Sequence, residues 1–201
     1  MRIGLTGGIG SGKSFVCQSL TATFGIPFYD SDSEARRLMV CSPALRQRME
    51  ALLGKEVYRP INEPPFYELN KSLVAGYLFS APSHAKAINA IVHPAVKTDF
   101  LAWAAQQEHD MVGLESAILL EAGFRDAVDV VVAVEAPLEL RLQRAMQRDS
   151  ATEEAIRARM ARQYSDEERR AQADFVIIND GRDLQPQLSF FIDTLLAQSH
   201  Q

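Results

Sequence analysis

The chain has 201 residues, of which 47 % are hydrophobic and 23 % are charged, and its formal net charge is −5 at pH 7. The length suits one globular α/β domain, and the acidic balance excludes a large basic surface for nucleic acid. The longest apolar run, residues 100–105, is far shorter than the ~20 residues needed to span a membrane, and Cys17 and Cys41 are too few for a disulfide framework. We therefore expect a cytoplasmic protein with neither a nucleic-acid nor a membrane partner.

Five short apolar runs predict β-strands. In chain order, the predicted strands are residues 2–6, 26–29, 111–114, 128–134 and 175–178. Pro27 indicates that the second strand starts there or lies at a sheet edge, and the apolar run 130–134 fits a strand that is buried on both faces. Strands that alternate with helical segments predict an α/β fold with a five-stranded, parallel, doubly wound sheet.

Apolar residues at helical spacing predict helices between and after these strands. Residues 43–109 are mostly helical in pattern but are interrupted by a proline-rich stretch at 60–66. The other predicted helices are residues 13–24, 34–40, 137–149, 150–172 and 184–197. In such folds ligands bind beyond the carboxyl ends of the strands, so residues that follow strands are the first candidates for a site.

A glycine-rich loop follows the first strand. Residues 7–14 read GGIGSGKS and match the phosphate-binding pattern G-x-x-x-x-G-K-[S/T] between a strand and a helix. Glycines let backbone N–H groups converge on phosphate oxygens, and the following helix presents its positive end. We expect Lys13 to reach the β- and γ-phosphates and the Ser14 hydroxyl to ligate Mg²⁺; the structural alternative is a turn without a ligand. The predicted ATP-binding residues here are Gly8, Gly10, Ser11, Gly12, Lys13, Ser14 and Phe15.

Two aspartates, Asp30 and Asp32, follow the second strand. A carboxylate at the mouth of the cleft can orient a hydroxyl and accept its proton as the loose transition state of phosphoryl transfer forms. Either aspartate can instead cap the helix that follows. The spacing alone does not distinguish these roles.

Arginines are concentrated in the second half of the chain. Arg141, Arg144 and Arg148 are spaced at i, i+3 and i+7, which puts them on one helix face, and further arginines follow to residue 162. A kinase needs mobile cations that cover the transferred phosphoryl group and exclude water, so residues 144–165 are typical of a lid. The alternative is a solvated basic face that nearby acidic residues offset.

Several short motifs occur in order along nearly the whole chain. They are residues 4–14 (GLTGGIGSGKS), 30–32 (DSD), 93–94 (HP), 118–121 (ILLE), 143–144 (QR), 148–149 (RD), 159–163 (RMARQ) and 173–181 (ADFVIINDG). This ordered set resembles the dephospho-CoA kinases, a family of P-loop kinases. The resemblance implies a nucleotide-kinase-like P-loop NTPase fold in one domain. Its expected parts are a core (1–32, 111–143 and 173–201), a helical acceptor-binding region (33–110) and a helical lid (144–172).

The resemblance also implies a reaction. ATP, with Mg²⁺, would phosphorylate the ribose 3′-hydroxyl of dephospho-CoA and give CoA and ADP, the last step of coenzyme A biosynthesis. It implies that Asp32 is the base and that Arg144 and Arg148 help to hold ATP, with Asn179 near the adenine end. Lys13, Asp32 and Arg144 are thus the predicted catalytic residues.

The predicted acceptor contacts are Asp32, His93 and Glu121. His93 can instead simply precede a helix that has Pro94 at its first position, and Glu121 can be a surface residue. Glu115, at the end of the third strand, can act through Mg²⁺-bound water or pair with a lid arginine. The chain departs from the usual residues of the family at Phe15, Lys71, Ala117 and Leu120.

Other functional classes fit the sequence less well. A GTPase switch would need the guanine-reading motif N-K-x-D, but residues 70–73 read NKSL and lie in the helical region. An ATPase that drives nucleic acid would need a basic surface studded with aromatic residues. Another P-loop kinase for a nucleoside, nucleotide or metabolite is the main alternative, because it would share the loop and the lid.

Overall fold

The structure, a computed structural model, describes residues 1–61 and 66–199. The middle of the proline-rich stretch that interrupts the predicted helices, residues 62–65, lies outside them. The strands of the described chain are Arg2–Thr6 (β1), Phe28–Asp30 (β2), Tyr58–Ile61 (β3), Phe66–Leu69 (β4), Val112–Glu115 (β5), Val130–Glu135 (β6) and Phe175–Ile178 (β7).

Helices separate most of the strands. They are Lys13–Phe24 (α1), Ser31–Cys41 (α2), Pro43–Leu53 (α3), Lys71–Ser80 (α4), Pro82–Ala104 (α5), Leu138–Asp149 (α6), Glu153–Met160 (α7), Asp166–Arg170 (α8) and Gln185–Ser199 (α9). Short 3₁₀ turns lie at Lys55–Val57 and Arg125–Ala127. None of the helices among the described residues combines the length and the apolar composition that a membrane crossing requires.

The chain divides into two compact units. One, here called the sheet unit, comprises Met1–Tyr29 and Gln106–Gln201, and the other, the helical unit, comprises Asp30–Ala105. The helical unit covers most of the predicted acceptor-binding region. The finer division of the remainder into core and lid stays a prediction.

The sheet has five strands, as the alternation of strands and helices predicted, and their order is β2-β5-β1-β6-β7. β1 lies between β5 and β6 and is parallel to both, with Leu5 opposite Glu115 on one side and Val132 on the other. β2 is an edge strand and begins directly after Pro27, which agrees with the expectation from that proline. The parallel arrangement brings the carboxyl ends of β1, β5, β6 and β7 to one edge of the sheet, where the candidate site lies.

One face of the sheet packs against α1 and α9. In α9, apolar residues at i, i+3, i+4 and i+7 are buried, and each contributes about 1.5–3 kcal/mol through the hydrophobic effect. They are Leu188, Phe191, Ile192 and Leu195. Residues 131–134 of β6 have no exposed surface, which confirms that this strand is buried on both faces. This core fixes β1 and α1, and with them the loop that joins the two.

Part of the helical unit is a β-hairpin, where the sequence pattern predicted mostly helix. β3 pairs antiparallel with β4, with Tyr58 opposite Leu69 and Pro60 opposite Tyr67. Aromatic and β-branched residues favour a pleated strand, and a two-stranded sheet tolerates proline because both of its strands are edges. Tyr58 is buried and donates its hydroxyl hydrogen to the Met39 carbonyl at 2.6 Å, and burial raises the pKa of Tyr58 to about 12.

Helix α5 runs through Pro94 without a break, so the expectation that a helix starts at Pro94 is wrong. Proline lacks an N–H group, which removes the hydrogen bond to the carbonyl four residues earlier, at Ala90. Arg48 of α3 donates to that Ala90 carbonyl at 3.4 Å. The proline is tolerated because a neighbouring helix replaces the missing donor.

The predicted helix over residues 150–172 is two helices, α7 and α8. The break is explained by a capping box: the Ser165 hydroxyl accepts from the Glu168 N–H, and the Glu168 carboxylate accepts from the Ser165 N–H. Such a box fixes a new helix start at Ser165. The intervening segment, residues 161–165, contains Gln163, which contacts the glycine loop and the segment after β5.

Candidate active site

The glycine loop, residues 7–14, joins β1 to α1. Gly10 and Gly12 have φ angles of 78° and 88°, in the left-handed region that favours glycine. A Cβ atom on Gly10 would lie 2.2 Å from the Arg141 carbonyl oxygen, and one on Gly12 would lie 2.1 Å from Nδ2 of Asn179. The loop conformation and its close neighbours therefore require glycine at both positions.

The start of α1 is open to an anion. Gly12 is the N-cap residue, no side chain caps the helix, and its first turn has no acidic residue. The N–H groups of this turn thus have no partner within the helix, and the helix dipole adds partial positive charge there. The Lys13 ammonium group donates to the Gly7 carbonyl at 3.0 Å and so lies over the loop. Backbone donors and a lysine charge together form a cradle for phosphate groups.

Ser14 and Glu115 form a second feature of the site. The Ser14 hydroxyl donates to Oε1 of Glu115 at 2.6 Å, so the end of the loop meets the carboxyl end of β5. Within the described ranges there is no group of three or more His, Cys, Asp or Glu side chains that could hold a metal ion. Mg²⁺ in a kinase is usually held by substrate phosphates and one or two protein oxygens, and a hydroxyl beside a carboxylate fits that pattern. The sequence had left open whether Glu115 acts near Mg²⁺ or pairs with a lid arginine.

Asn179 connects the loop to Arg144. It follows β7, is only 4 % exposed, and donates from Nδ2 to the Ser11 carbonyl at 2.9 Å. Arg144 donates from Nη1 to the Asn179 backbone carbonyl at 3.1 Å and from Nη2 to its Oδ1 at 3.4 Å. The structure therefore brings Asn179, Arg144 and the glycine loop together, from three segments far apart in the chain.

The three arginines that the sequence placed on one helix face have different partners. Arg141 is 6 % exposed and donates from Nε to the Ile9 carbonyl of the loop at 3.0 Å. Arg148 is exposed and pairs with Asp149 at 2.7 Å, as does Arg159 at 2.5 Å. Hydrogen bonds from these two arginines hold the pKa of Asp149 well below its usual range. Arg141 thus contacts the glycine loop directly and Arg144 is connected to it through Asn179, whereas Arg148 belongs to a local ion-pair network.

Two residues of the segment before α8 also contact the site. Gln163 accepts from the Ile9 N–H at 3.0 Å and donates to the Ala117 carbonyl at 3.2 Å, and the Tyr164 N–H donates to Glu121 at 2.9 Å. Glu121 therefore holds the segment that follows α7. The sequence assigned no contact to Gln163, and its only signal was its place in the RMARQ motif.

The remaining predicted residues lie in the helical unit. Asp30 caps α2, since its carboxylate accepts from the N–H groups of Asp32 and Ser33 at 3.0 and 3.4 Å. Asp32 lies in the first turn of α2 with an exposed side chain. His93 is half-buried in α5, and burial lowers its pKa. Capping is thus assigned to Asp30, which leaves the Asp32 carboxylate available for chemistry.

The helical unit also contains a cavity of about 420 Å³. It is lined by Leu38, Ser42, Arg48, Pro94, Ala95, Thr98, Asp99 and Ala102. On one wall, Arg37 pairs with Asp99 at 2.7 Å, and the hydrogen bonds that Arg37 donates to Glu34 and Asp99 raise the pKa of Arg37. The lining combines apolar side chains with polar and charged ones.

Known proteins are similar to this chain in sequence and in fold. The family model for dephospho-CoA kinases matches residues 1–185. A dephospho-CoA kinase of Bacteroides fragilis (strain YCH46) is 46 % identical over 202 residues, covering 100 % of this chain and 95 % of the relative. The crystal structure of TT1252 from Thermus thermophilus has a TM-score of 0.77 at 31 % identity and covers 98 % of this chain and 97 % of that one.

A second solved structure, the dephospho-CoA kinase from Campylobacter jejuni, shares the fold. Its TM-score is 0.65 at 20 % identity, and the match covers 100 % of this chain and 98 % of that one. The relatives are therefore matched over nearly their whole length, including the sheet, the glycine loop and the helical unit. From the family model and the 46 % identical relative, the chain belongs to the dephospho-CoA kinase family.

Proposed function

We propose that this protein transfers the γ-phosphoryl group of ATP to the ribose 3′-hydroxyl of dephospho-CoA, giving CoA and ADP. The observation that carries the proposal is the glycine loop at the uncapped start of α1, with Lys13 over it and Ser14 bonded to Glu115. Family membership supplies the acceptor. We place the reaction in the cytoplasm, where the exposed thiol of Cys41 stays reduced.

The nucleotide half of the reaction is assigned to the sheet unit. Backbone N–H groups of Gly8, Gly10, Ser11, Gly12, Lys13, Ser14 and Phe15 would hold the phosphates. Lys13 would move its ammonium group from the Gly7 carbonyl to the β- and γ-phosphates, where it stabilises charge on the transferred group. The Phe15 side chain is 57 % exposed and leaves its N–H as the contact.

Arg144 and Asn179 support the same nucleotide. Asn179 holds the Ser11 carbonyl and orients Arg144, whose charge we assign to ATP. Arg148 would join them by exchanging Asp149 for the nucleotide, while Arg159 keeps its own pair with Asp149. The three residues would thus help to hold the nucleotide over the glycine loop.

Magnesium would be held by the Ser14 hydroxyl, with Glu115 beside it. Bound there, Mg²⁺ would neutralise charge on the β- and γ-phosphates. Glu115 already accepts the Ser14 hydroxyl hydrogen, which turns the oxygen lone pairs of Ser14 away from β5. The carboxylate would in this way orient the serine for a hard divalent cation.

The acceptor half is assigned chiefly to the helical unit. Asp32 would orient the 3′-hydroxyl and accept its proton as the bond to phosphorus forms. Asp30 would keep α2 in position by capping it, so the two aspartates have separate tasks. We assign acceptor contacts also to His93 and to Glu121, in which Oε2 is buried without a hydrogen-bond partner among the described residues.

The proposal is tested by measuring ADP release from ATP and Mg²⁺ with a panel of acceptors. The panel comprises dephospho-CoA, CoA, nucleosides, nucleoside monophosphates, shikimate and gluconate. We expect turnover with dephospho-CoA and none with CoA, whose 3′-hydroxyl is already phosphorylated. Turnover with a nucleoside monophosphate but not with dephospho-CoA would contradict the proposed acceptor, and ADP release without any acceptor would indicate an ATPase.

A further inference from the structure

We propose that Gln163 is a positioning residue for phosphoryl transfer, acting through the peptide group of Ile9 in the glycine loop. Its side chain bonds both to the glycine loop, which would hold the phosphates, and to the segment after β5. This inference rests on the proposed function, because it concerns the geometry of that same site. It assigns a task to a side chain that needs no contact with ATP or with the acceptor.

Ile9 is held on three sides. Its side chain packs against a cluster formed by Leu142, Ala145 and Ile156, which joins α6 to α7. Its carbonyl oxygen accepts from Nε of Arg141 at 3.0 Å. Its N–H group donates to Oε1 of Gln163 at 3.0 Å.

The carbonyl group of Ile9 is held by the buried guanidinium group of Arg141. Arg141 is 6 % exposed, and its Nη1 pairs with Asp166 at 2.7 Å, while Arg169, at 2 % exposure, pairs with the same aspartate at 2.8 Å. Both guanidinium groups are buried, whereas Asp166 is 35 % exposed, and a buried charge that loses its partner destabilises the fold. Arg141 is thus part of the folded structure itself. Gln163 is neutral and only half-buried, so it is the adjustable part of the support.

Gln163 also bonds to the segment after β5. Its Nε2 donates to the carbonyl of Ala117, two residues after Glu115. Ser14, at the other end of the loop, bonds to Glu115 itself. The beginning and the end of the loop are therefore both tied to the same short segment, one through Gln163 and the other directly.

This geometry has a consequence for the reaction. The loop would hold the phosphates, and Glu115 would orient Ser14, the proposed Mg²⁺ ligand. The distance between the loop and Glu115 depends on both connections, the one through Gln163 and the one between Ser14 and Glu115. Small misplacements of catalytic groups cost large factors in rate, because near-attack geometry must be held closely. Loss of the Gln163 tie should lower kcat more than it lowers affinity for the acceptor.

The first test compares Gln163→Met with Gln172→Met. Methionine keeps the length of the side chain and removes both hydrogen bonds. Gln172 is exposed and follows α8, and its side-chain amide donates to the Glu168 carbonyl within its own segment, so its variant is a matched control. We expect kcat of Gln163→Met to fall roughly tenfold, the size expected from two neutral hydrogen bonds, with KM for dephospho-CoA nearly unchanged. The Mg²⁺ concentration for half-maximal rate should rise, and Gln172→Met should match the parent protein.

The second test uses Gln163→Glu and pH. An ionised carboxylate accepts from the Ile9 N–H but repels the Ala117 carbonyl, whereas a protonated carboxyl group both accepts and donates, as glutamine does. The rate of Gln163→Glu relative to the parent should therefore recover as pH falls from about 8 toward the pKa of the introduced group, about 4.3 or above when it faces a carbonyl. Gln163→Met should show no such recovery.

The outcomes separate this inference from the proposed function. If the parent protein does not phosphorylate dephospho-CoA, the proposed function fails. If the parent is active and Gln163→Met equals Gln172→Met in kcat, the positioning role is overturned. Thermal melting of each variant checks folding, and if Gln163→Met does not fold, the pH dependence decides: a constant ratio between Gln163→Glu and the parent overturns the inference.

Discussion

The sheet unit and the helical unit are stabilised by different kinds of contact at their candidate functional residues. In the sheet unit, the glycine loop is held by side chains that are 154 and 168 residues away in the chain, Gln163 and Asn179. In the helical unit, Asp30, Ser42 and Asn70 cap the helix that follows each of them, through N–H groups at most three residues away. The proposed nucleotide site is therefore built by tertiary contacts around a short motif, whereas the predicted acceptor residues lie on locally specified helices.

This difference in contacts explains why the sequence indicates the proposed nucleotide site more clearly than the proposed acceptor site. Phosphate recognition uses backbone N–H groups, a helix end and one lysine, and those needs impose glycines at fixed spacing. Recognition of a particular alcohol uses side chains on helix surfaces, for which no spacing rule exists. Substitutions in each unit should accordingly affect different quantities.

The largest effect is expected from Lys13→Ala. It removes the charge aimed at the transferred phosphoryl group, so kcat should fall by about 10²–10³-fold. The matched control is Lys86→Ala, an exposed lysine of α5 in the helical unit, which should leave kcat unchanged. A loss below tenfold in Lys13→Ala, measured by ADP release, would mean that the loop does not hold the phosphates as proposed.

The next effect separates the two aspartates at the start of α2. Asp32→Asn removes the proposed base, so kcat should fall by about 10²-fold while the Kd for ATP stays the same. Asp30→Asn keeps a good N-cap residue and should resemble the parent in both rate and stability. Steady-state kinetics and ATP titrations of the pair measure this. An unaltered kcat in Asp32→Asn, or a large loss in Asp30→Asn, would assign the chemistry to the other carboxylate.

A smaller effect is expected from substitutions at two asparagines, one in each unit. Asn179→Leu leaves the Ser11 carbonyl without its donor and removes the support of Arg144, so unfolding free energy should drop by about 1–3 kcal/mol and ATP affinity should weaken. Asn70→Leu removes the N-cap of α4, which should cost about 1 kcal/mol without a change in ATP affinity. Urea denaturation and ATP titration are the measurements. Equal loss of ATP affinity in both variants would remove the contrast between the units.

The smallest effect concerns His93. Burial lowers its pKa in the folded protein below the ordinary value of about 6.5, so at pH 7 the ring is neutral. As pH falls below about 6.5 the unfolded chain takes up a proton that the folded chain resists, and the contribution of His93 to stability declines down to its folded pKa. An NMR titration of the His93 ring measures the midpoint, and a midpoint at or above about 6.5 would contradict the burial argument.

The sequence predicted the sheet and the loop because their causes are local. Apolar runs such as residues 130–134 are typical of strands buried on both faces. The sequence GGIGSGKS between a strand and a helix is typical of a phosphate-binding loop. Asp30 and Asp32 could not be distinguished by spacing. The structure gives the cap to Asp30 because its carboxylate faces two N–H groups of the first turn.

The features that the sequence missed depend on contacts between distant residues. The helix through Pro94 depends on Arg48, which supplies a donor to the Ala90 carbonyl from another helix. The periodicity of Arg141, Arg144 and Arg148 predicted a shared face but not their separate partners, since these lie 25 or more residues away for Arg141 and Arg144. The RMARQ motif included Gln163 but did not indicate its two contacts, because a neutral side chain that bridges two backbone groups leaves no periodic signal.

The most direct measurement is a calorimetric titration of ATP into the purified protein, with and without Mg²⁺ and without an acceptor. A loop that holds the triphosphate at an uncapped helix start should bind ATP with a Kd between about 1 µM and 1 mM, more tightly with Mg²⁺, and at least about tenfold more weakly in Lys13→Ala. A well-folded protein that shows no Mg²⁺-dependent affinity for ATP would contradict the account at its foundation.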